Sequence, residues 1–353
     1  KRAKTLLTTK GTKEHKGKMY SLLRPLLFSL DPETSHQLTL HALRLAGNFP
    51  LSNWLLTQLY KTESKPVQAF GLTFKNPIGL AAGYDKDALA VRGLAALGFG
   101  HIEIGTVTPQ PQAGNPRPRV FRLAEDEAVI NRMGFPSQGM SKVAGRMSKV
   151  GNQRHAIVGI NLGKNKDTPL EEAARDYVEL MKVFSPLADY LTINISSPNT
   201  IGLRRLQNRE MLEQLLNQIN LERETWNLKP PILVKISPDL SEEELEDAVG
   251  VILDKKMDGI IATNTTLSRE GARSNLKGET GGLSGSPLNG RSEAVLSRVV
   301  KLVNGRVPIV SVGGIASPDD AKKRLALGAS LVQVYTGLIY RGPVLVKEIL
   351  KNL

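Results

Sequence analysis

The chemistry-bearing residues of this chain are neutral amides, hydroxyls and two lysines, placed at the ends of apolar runs. The densest group follows Tyr190–Ile195, a mostly apolar, β-branched stretch of the kind buried in a parallel sheet. It runs into Asn194, Ser196, Ser197 and Asn199, with Pro198 and Gly202 breaking the chain. Uncharged hydrogen-bonding groups at the end of an apolar strand suit a binding site at a sheet's carboxyl edge. The same residue types also form ordinary turns. Asn131, Asn194, Asn199 and Asn264 repeat the theme without a His or a carboxylate beside them. Each amide offers a donor and an acceptor, which suits a planar imide or amide ring. Lys86 and Lys235 end two further runs. A buried lysine needs an anionic partner, whereas a surface lysine snorkels into water. Gly313-Gly314 and Tyr335-Thr336-Gly337 place free backbone N–H groups at the ends of two late runs, which together favour a phosphate, with Gly285 a further candidate.

Composition narrows the chemistry. The 353 residues contain no cysteine, which excludes disulfides, thiolate metal sites and a cysteine nucleophile or base. The histidines at 15, 36, 41, 101 and 155 form no H-x-x-H or H-E-x-x-H pair, so no metal is expected. The net charge is +13, and residues 1–18 supply nearly half of it. That basic run ends before Met19 and reads as an added leader or a disordered tail. With 5% aromatics and no basic-aromatic interleaving, surplus Lys and Arg read as solvated surface rather than a nucleic-acid interface. No apolar run reaches the roughly 18–20 residues that span a bilayer, and no signal peptide is recognisable.

These residues need a scaffold that gathers many strand ends. Apolar runs at 78–82, 101–106, 157–162, 190–195, 232–236, 259–263, 309–313 and 331–335 read as eight strands. Helical patterns at 88–97, 170–184, 209–224, 241–255, 293–303 and 318–327 fall between most of them. There is no G-x-G-x-x-G and no Walker A motif. Eight β/α units predict an α/β protein with a (β/α)8 TIM barrel, whose site lies at the carboxyl ends of its strands. Residues 116–132 are too long for a loop and alternate in polarity, so they predict a β-hairpin over the mouth. Three parts are expected: residues 1–18, an N-terminal two-helix extension with its connector over 19–66, and the barrel over 67–353. The Leu-rich extension has two readings, an apolar flap on a membrane surface or lipidic ligand, and a helical hairpin packed on the barrel. Composition by itself leans to the second.

Seven segments in order resemble the class 2, quinone-linked dihydroorotate dehydrogenases. They are Asn76–Lys86, Ile102–Pro109, Asn131–Phe135, Asn161–Lys166, Asn194–Thr200, Ala262–Thr266 and Gly281–Gly285. The resemblance covers nearly all of residues 19–353. It implies FMN, with phosphate at Gly314, Tyr335 and Thr336 and the rest of the cofactor site drawn from Ala82, Gly83, Tyr84, Asp85, Lys86, Thr106, Asn161, Asn194, Lys235, Thr263 and Gly285. It implies that dihydroorotate or orotate is held by Lys86, Asn131, Arg132, Met133, Gly134, Phe135, Asn194, Asn199, Asn264 and Thr265. Ser197 would be the base; the related class 1 enzymes use Cys there. Further implications are a membrane quinone as partner, peripheral attachment at the cytoplasmic face of the cell membrane, a monomer, and a lid over 198–207. Pro136, Ile201, Thr336 and Tyr84 depart from the family pattern without removing a proposed catalytic group. Two rivals stand beside this reading. A tRNA dihydrouridine synthase resembles a pattern with a Cys acid that is absent here. A non-catalytic membrane-surface barrel predicts losses at Lys86, Ser197 or Asn199, and all three are present.

Overall fold

A computed structural model describes residues 11–151 and 155–353. Three helices come first: α1 (Gly11–Ser29), α2 (Pro32–Asn48) and α3 (Pro50–Leu59). Asp31 caps α2, its Oδ1 accepting from the N–H groups of Glu33 and Thr34 at 3.0 Å, and Pro32 opens the first turn. The sequence reading gave two helices and a connector, but part of that connector folds as α3. None of the residues of α3 is buried, so no core-facing stripe announced it. Residues 1–10 of the basic run lie outside the described residues; from Gly11 the chain is already within α1.

A short hairpin, β1 (Val67–Ala69) and β2 (Leu72–Phe74), closes the amino-terminal end of the barrel. Its Phe74 is fully buried and clusters with Tyr190, Leu233 and Ile261. The chain then alternates strand and helix. It runs β3 (Ile78–Leu80), α4 (Val91–Ala96), β4 (His101–Val107), the excursion β5 (Val120–Leu123) and β6 (Ala128–Asn131), and α5 (Met140–Val150). It continues through β7 (Ile157–Leu162), α6 (Ala173–Phe184), β8 (Tyr190–Asn194), α7 (Arg209–Thr225), β9 (Ile232–Ile236), α8 (Glu242–Asp254) and β10 (Gly259–Ala262). The last units are β11 (Gly282–Gly285), α9 (Asn289–Val303), β12 (Ile309–Val312), α10 (Pro318–Ala326), β13 (Leu331–Val334), α11 (Thr336–Arg341) and α12 (Val344–Asn352).

Strands β3, β4, β7, β8, β9, β10, β12 and β13 form a closed parallel barrel in chain order, the eight read from the sequence. Register sets the site. Asn194 on β8 lies opposite Lys235 on β9, and Gly105 on β4 opposite Asn161 on β7, so the polar strand ends meet at one mouth. The predicted hairpin is present as β5–β6, but β11 joins it as a third strand, pairing Gly282 with Asn131. Gly281–Gly285 has no apolar alternation, so its pairing had no sequence signal.

Candidate active site

A cavity opens at the carboxyl ends of the barrel strands. Its wall takes Ala82, Gly83 and Lys86 after β3, Thr106 from β4, Asn131 at the end of β6, and Met133, Gly134 and Phe135 after it. Asn194 ends β8 and Ser197 and Asn199 follow it, Lys235 comes from β9, and Thr263, Asn264 and Thr265 follow β10. Gly285, Gly314, Tyr335 and Thr336 complete it. Four predicted residues stand apart from this wall. Tyr84 lines the neighbouring cavity instead. The Asp85 carboxylate accepts from Leu89 N–H and Ala90 N–H, each at 2.8 Å, and so organises the turn before α4. Arg132 turns to Glu279 at 2.6 Å and stacks over Phe121. Asn161 is fully buried behind the wall.

The amides are held in two hydrogen-bonded groups. Asn161 Nδ2 donates to Glu103 Oε1 at 2.7 Å, and its Oδ1 accepts from Thr106 Oγ1 at 2.5 Å and Asn194 Nδ2 at 2.9 Å. Asn194 Oδ1 in turn accepts from Ser196 Oγ at 3.1 Å and Asn264 Nδ2 at 3.3 Å. Asn264 Oδ1 accepts from Thr265 N–H at 2.8 Å. Across the mouth, Asn199 Nδ2 donates to Asn131 Oδ1 at 3.1 Å. Each amide therefore has a set orientation, and Asn131, Asn194, Asn199 and Asn264 hold theirs at the cavity wall.

Ser197 is nearly buried, and its Oγ accepts from Asn199 N–H at 3.2 Å. Lys86 donates to Gly83 O at 2.5 Å. Burial pushes its ammonium down to about 8. Burial also lowers Lys235, while Glu103, with Oε1 4.0 Å from Lys235 Nζ, raises it. After β12 the backbone turns through Gly313 and Gly314, the latter at φ +73°, where an added Cβ would lie 2.6 Å from Asn289 N. The fully buried Arg324 of α10 holds this turn from behind, donating to Gly313 O at 3.1 Å and Asn289 O at 2.7 Å. Asn289 Nδ2 donates to Gly314 O at 2.9 Å.

A second cavity of about 840 Å³ lies between the N-terminal helices and the barrel. It shares Gly83, Lys86, Asn131, Met133 and Tyr335 with the first. Where they adjoin, rings pack edge to face: His36 against Tyr84 at 4.9 Å, and Tyr84 against Tyr335 at 5.8 Å. Burial brings His36 down to about 4, so it is neutral at physiological pH. Arg119 ties α2 to the hairpin strand, its Nη2 meeting Glu33 Oε1 at 3.0 Å and its Nε meeting both carboxylate oxygens.

Sequence reasoning missed Glu103, Arg324, His36 and the Glu33–Arg119 pair. Glu103 left a signal, a carboxylate inside an otherwise strand-like run. Arg324 left none, because an arginine on an amphipathic helix reads as surface.

The family model described as dihydroorotate dehydrogenase matches residues 65–353. A "Dihydroorotate dehydrogenase (quinone)" of Roseiflexus sp. (strain RS-1) is 50% identical over 95% of this chain and 93% of its own length. The chain belongs to the dihydroorotate dehydrogenase family. Another quinone-type relative, from Acidithiobacillus ferrooxidans, is 50% identical over 95% of this chain and 94% of its own. The Eimeria tenella structure in complex with ferulenol matches with a TM-score of 0.84 and 41% identity, over 93% of both chains. The dihydroorotate dehydrogenase likeness thus covers the barrel and most of the helices before it.

Proposed function

We propose that this protein oxidises (S)-dihydroorotate to orotate, passing hydride to FMN and electrons onward to a membrane quinone, in de novo pyrimidine synthesis. The adjacency of the two cavities carries this reading. A chamber lined by amides and lysines shares Gly83 and Tyr335 with a largely apolar one beneath the N-terminal helices. A planar redox cofactor between them would meet substrate on one side and a lipidic acceptor on the other.

The residues present fit FMN. Gly313 and Gly314 leave the turn after β12 bare of side chains, and Thr336 lines the same cavity beside Gly285. Gly83, at φ +99°, leaves the wall open beside Tyr335 and Lys86. FMN, when bound, supplies the two-electron acceptor. Lys86 pairs with the substrate carboxylate, and Asn131, Asn194, Asn199 and Asn264 hold the imide ring. Ser197 takes the proton from C5 as hydride leaves C6 and passes its own hydroxyl proton on to solvent, and Asn199 N–H fixes the orientation of its Oγ. Lys235 supports negative charge on the reduced cofactor.

Arg204 positions the lid: it donates to Ser196 O at 3.1 Å, Asp239 Oδ2 at 2.8 Å and Thr265 O at 2.9 Å. No helix among the described residues is long and apolar enough to cross a membrane. Leu22, Leu26, Leu51 and Trp54 are instead exposed on the N-terminal helices, which supports peripheral attachment to a membrane surface; the reading assigns this to the cytoplasmic face. The reading takes the protein as a monomer of two functional parts, an N-terminal quinone module and the barrel.

Steady-state turnover tests the assignment. The FMN-reconstituted protein is expected to oxidise dihydroorotate with a long-chain quinone and not with NAD+; turnover with NAD+ and none with quinone would overturn it.

A further inference from the structure

Glu103 sits one layer below the cavity wall, and the proposed reaction gives it no task. It lies within β4, all of whose residues are buried, and is itself fully buried. Its Oε1 accepts from Asn161 Nδ2 at 2.7 Å; its Oε2 accepts from Gln333 Nε2 at 2.9 Å and Tyr190 Oη at 3.2 Å. An amide at this position could serve all three neighbours. Gln333 Oε1 is buried without a hydrogen-bond partner, so turning the Gln333 amide would give a glutamine side chain its acceptor. What an amide cannot supply is charge.

The neighbour that uses the charge is Lys235 on β9. It reaches into the cavity, and its Nζ lies 4.0 Å from Glu103 Oε1. A buried ammonium without a counter-charge tends to lose its proton. In register with Lys235 stand Asn194 on β8 and Ile261 on β10, both uncharged. From β4, Glu103 opposes the downward pull of burial on Lys235. Around the carboxylate, Gln333 comes from β13 and Tyr190 from β8. Burial, and then Glu103 itself, hold the Tyr190 phenol well above its ordinary value, so it is a donor and not a second charge.

We propose that Glu103 is a positioning residue, the fixed counter-charge that keeps Lys235 an ammonium at the floor of the site before any electrons arrive. The proposal rests on the reading that a flavin ring lies against Lys235. It means the positive charge is preorganised rather than recruited during reduction.

Potentiometry of the FMN-reconstituted Glu103→Gln protein tests this. The readout is the slope of the flavin midpoint potential against pH, between about pH 6 and 9. With Lys235 already charged, two-electron reduction of the unaltered protein takes up one proton. In Glu103→Gln, Lys235 starts neutral and takes a second proton as negative charge builds beside it, so the slope doubles. Glu103→Gln combined with Lys235→Met restores the single-proton slope. Equal slopes in the unaltered and Glu103→Gln proteins would overturn the proposal.

Should Glu103→Gln fail to fold, an NMR titration of Lys235 in the unaltered holoprotein decides. An ammonium retained to about pH 9 supports the proposal; a neutral amine at pH 7 overturns it. A protein that binds no flavin contradicts the earlier reading instead, and does so before any variant is made.

Discussion

A serine that removes a proton from carbon must send its own proton onward. Ser197 receives Asn199 N–H and is nearly shut off from solvent, so the site supplies orientation and dryness rather than a strong base. Ser197→Ala is expected to retain FMN while flavin reduction by dihydroorotate slows by about 10²–10⁴-fold in stopped flow. Reduction near the unaltered rate would remove Ser197 as base. Lys86 makes a second test. Burial lowers it to about 8, so its ammonium is present below that pH and is lost above it. Orotate affinity, read from the flavin spectrum, should therefore fall as pH rises through about 8, approaching tenfold per unit, and the fall should vanish in Lys86→Met. At this scale much of the site was legible, because the amides and lysines end apolar runs. Arg132 shows the limit: adjacency to Asn131 says nothing about which way a side chain turns, and this one turns to Glu279.

At the scale of elements, the N-terminal helices are fastened to the hairpin over the mouth. Arg119 and Glu33 are both buried, and Arg117 meets the same carboxylate at 3.2 Å. Arg122 donates to Leu27 O and Leu30 O at the end of α1 and stacks on Phe28. Glu33→Ala would leave Arg119 buried without a counter-charge, weakening this attachment by about 3–5 kcal/mol. The expected result is impaired turnover with long-chain quinones and little change in flavin reduction by dihydroorotate, measured in separate half-reactions. Equal losses in both would contradict a quinone role for the module. The barrel strands were legible because buried parallel strands are continuous apolar runs. Helices α3 and α5 and strand β11 were not, and neither were α11, α12 and the β1–β2 hairpin. Helix α3 has no buried residue, α5 buries only Val143 and Met147, and β11 pairs through a glycine-rich backbone.

Over the whole molecule, exposed apolar side chains gather on the first three helices, with Leu22, Leu51, Leu26 and Trp54 exposed by 79%, 70%, 66% and 57%. A net charge of +13 adds attraction to anionic lipid. Anionic vesicles are expected to shift Trp54 emission to the blue and to sediment the protein. Trp226, on the barrel, should be unaffected, which Trp54→Phe would verify. Unchanged Trp54 emission would contradict surface attachment through these helices. Sequence alone left the module undecided between a packed hairpin and a membrane flap. The fold shows how both faces are used: one covers the cavity above the barrel, and the other presents leucines to solvent. The central claim is that the barrel mouth couples dihydroorotate to a flavin. Its most direct test is the visible spectrum of the FMN-bound protein before and after anaerobic addition of dihydroorotate. The flavin absorbance is predicted to bleach as orotate appears; a flavin that stays oxidised would contradict the account.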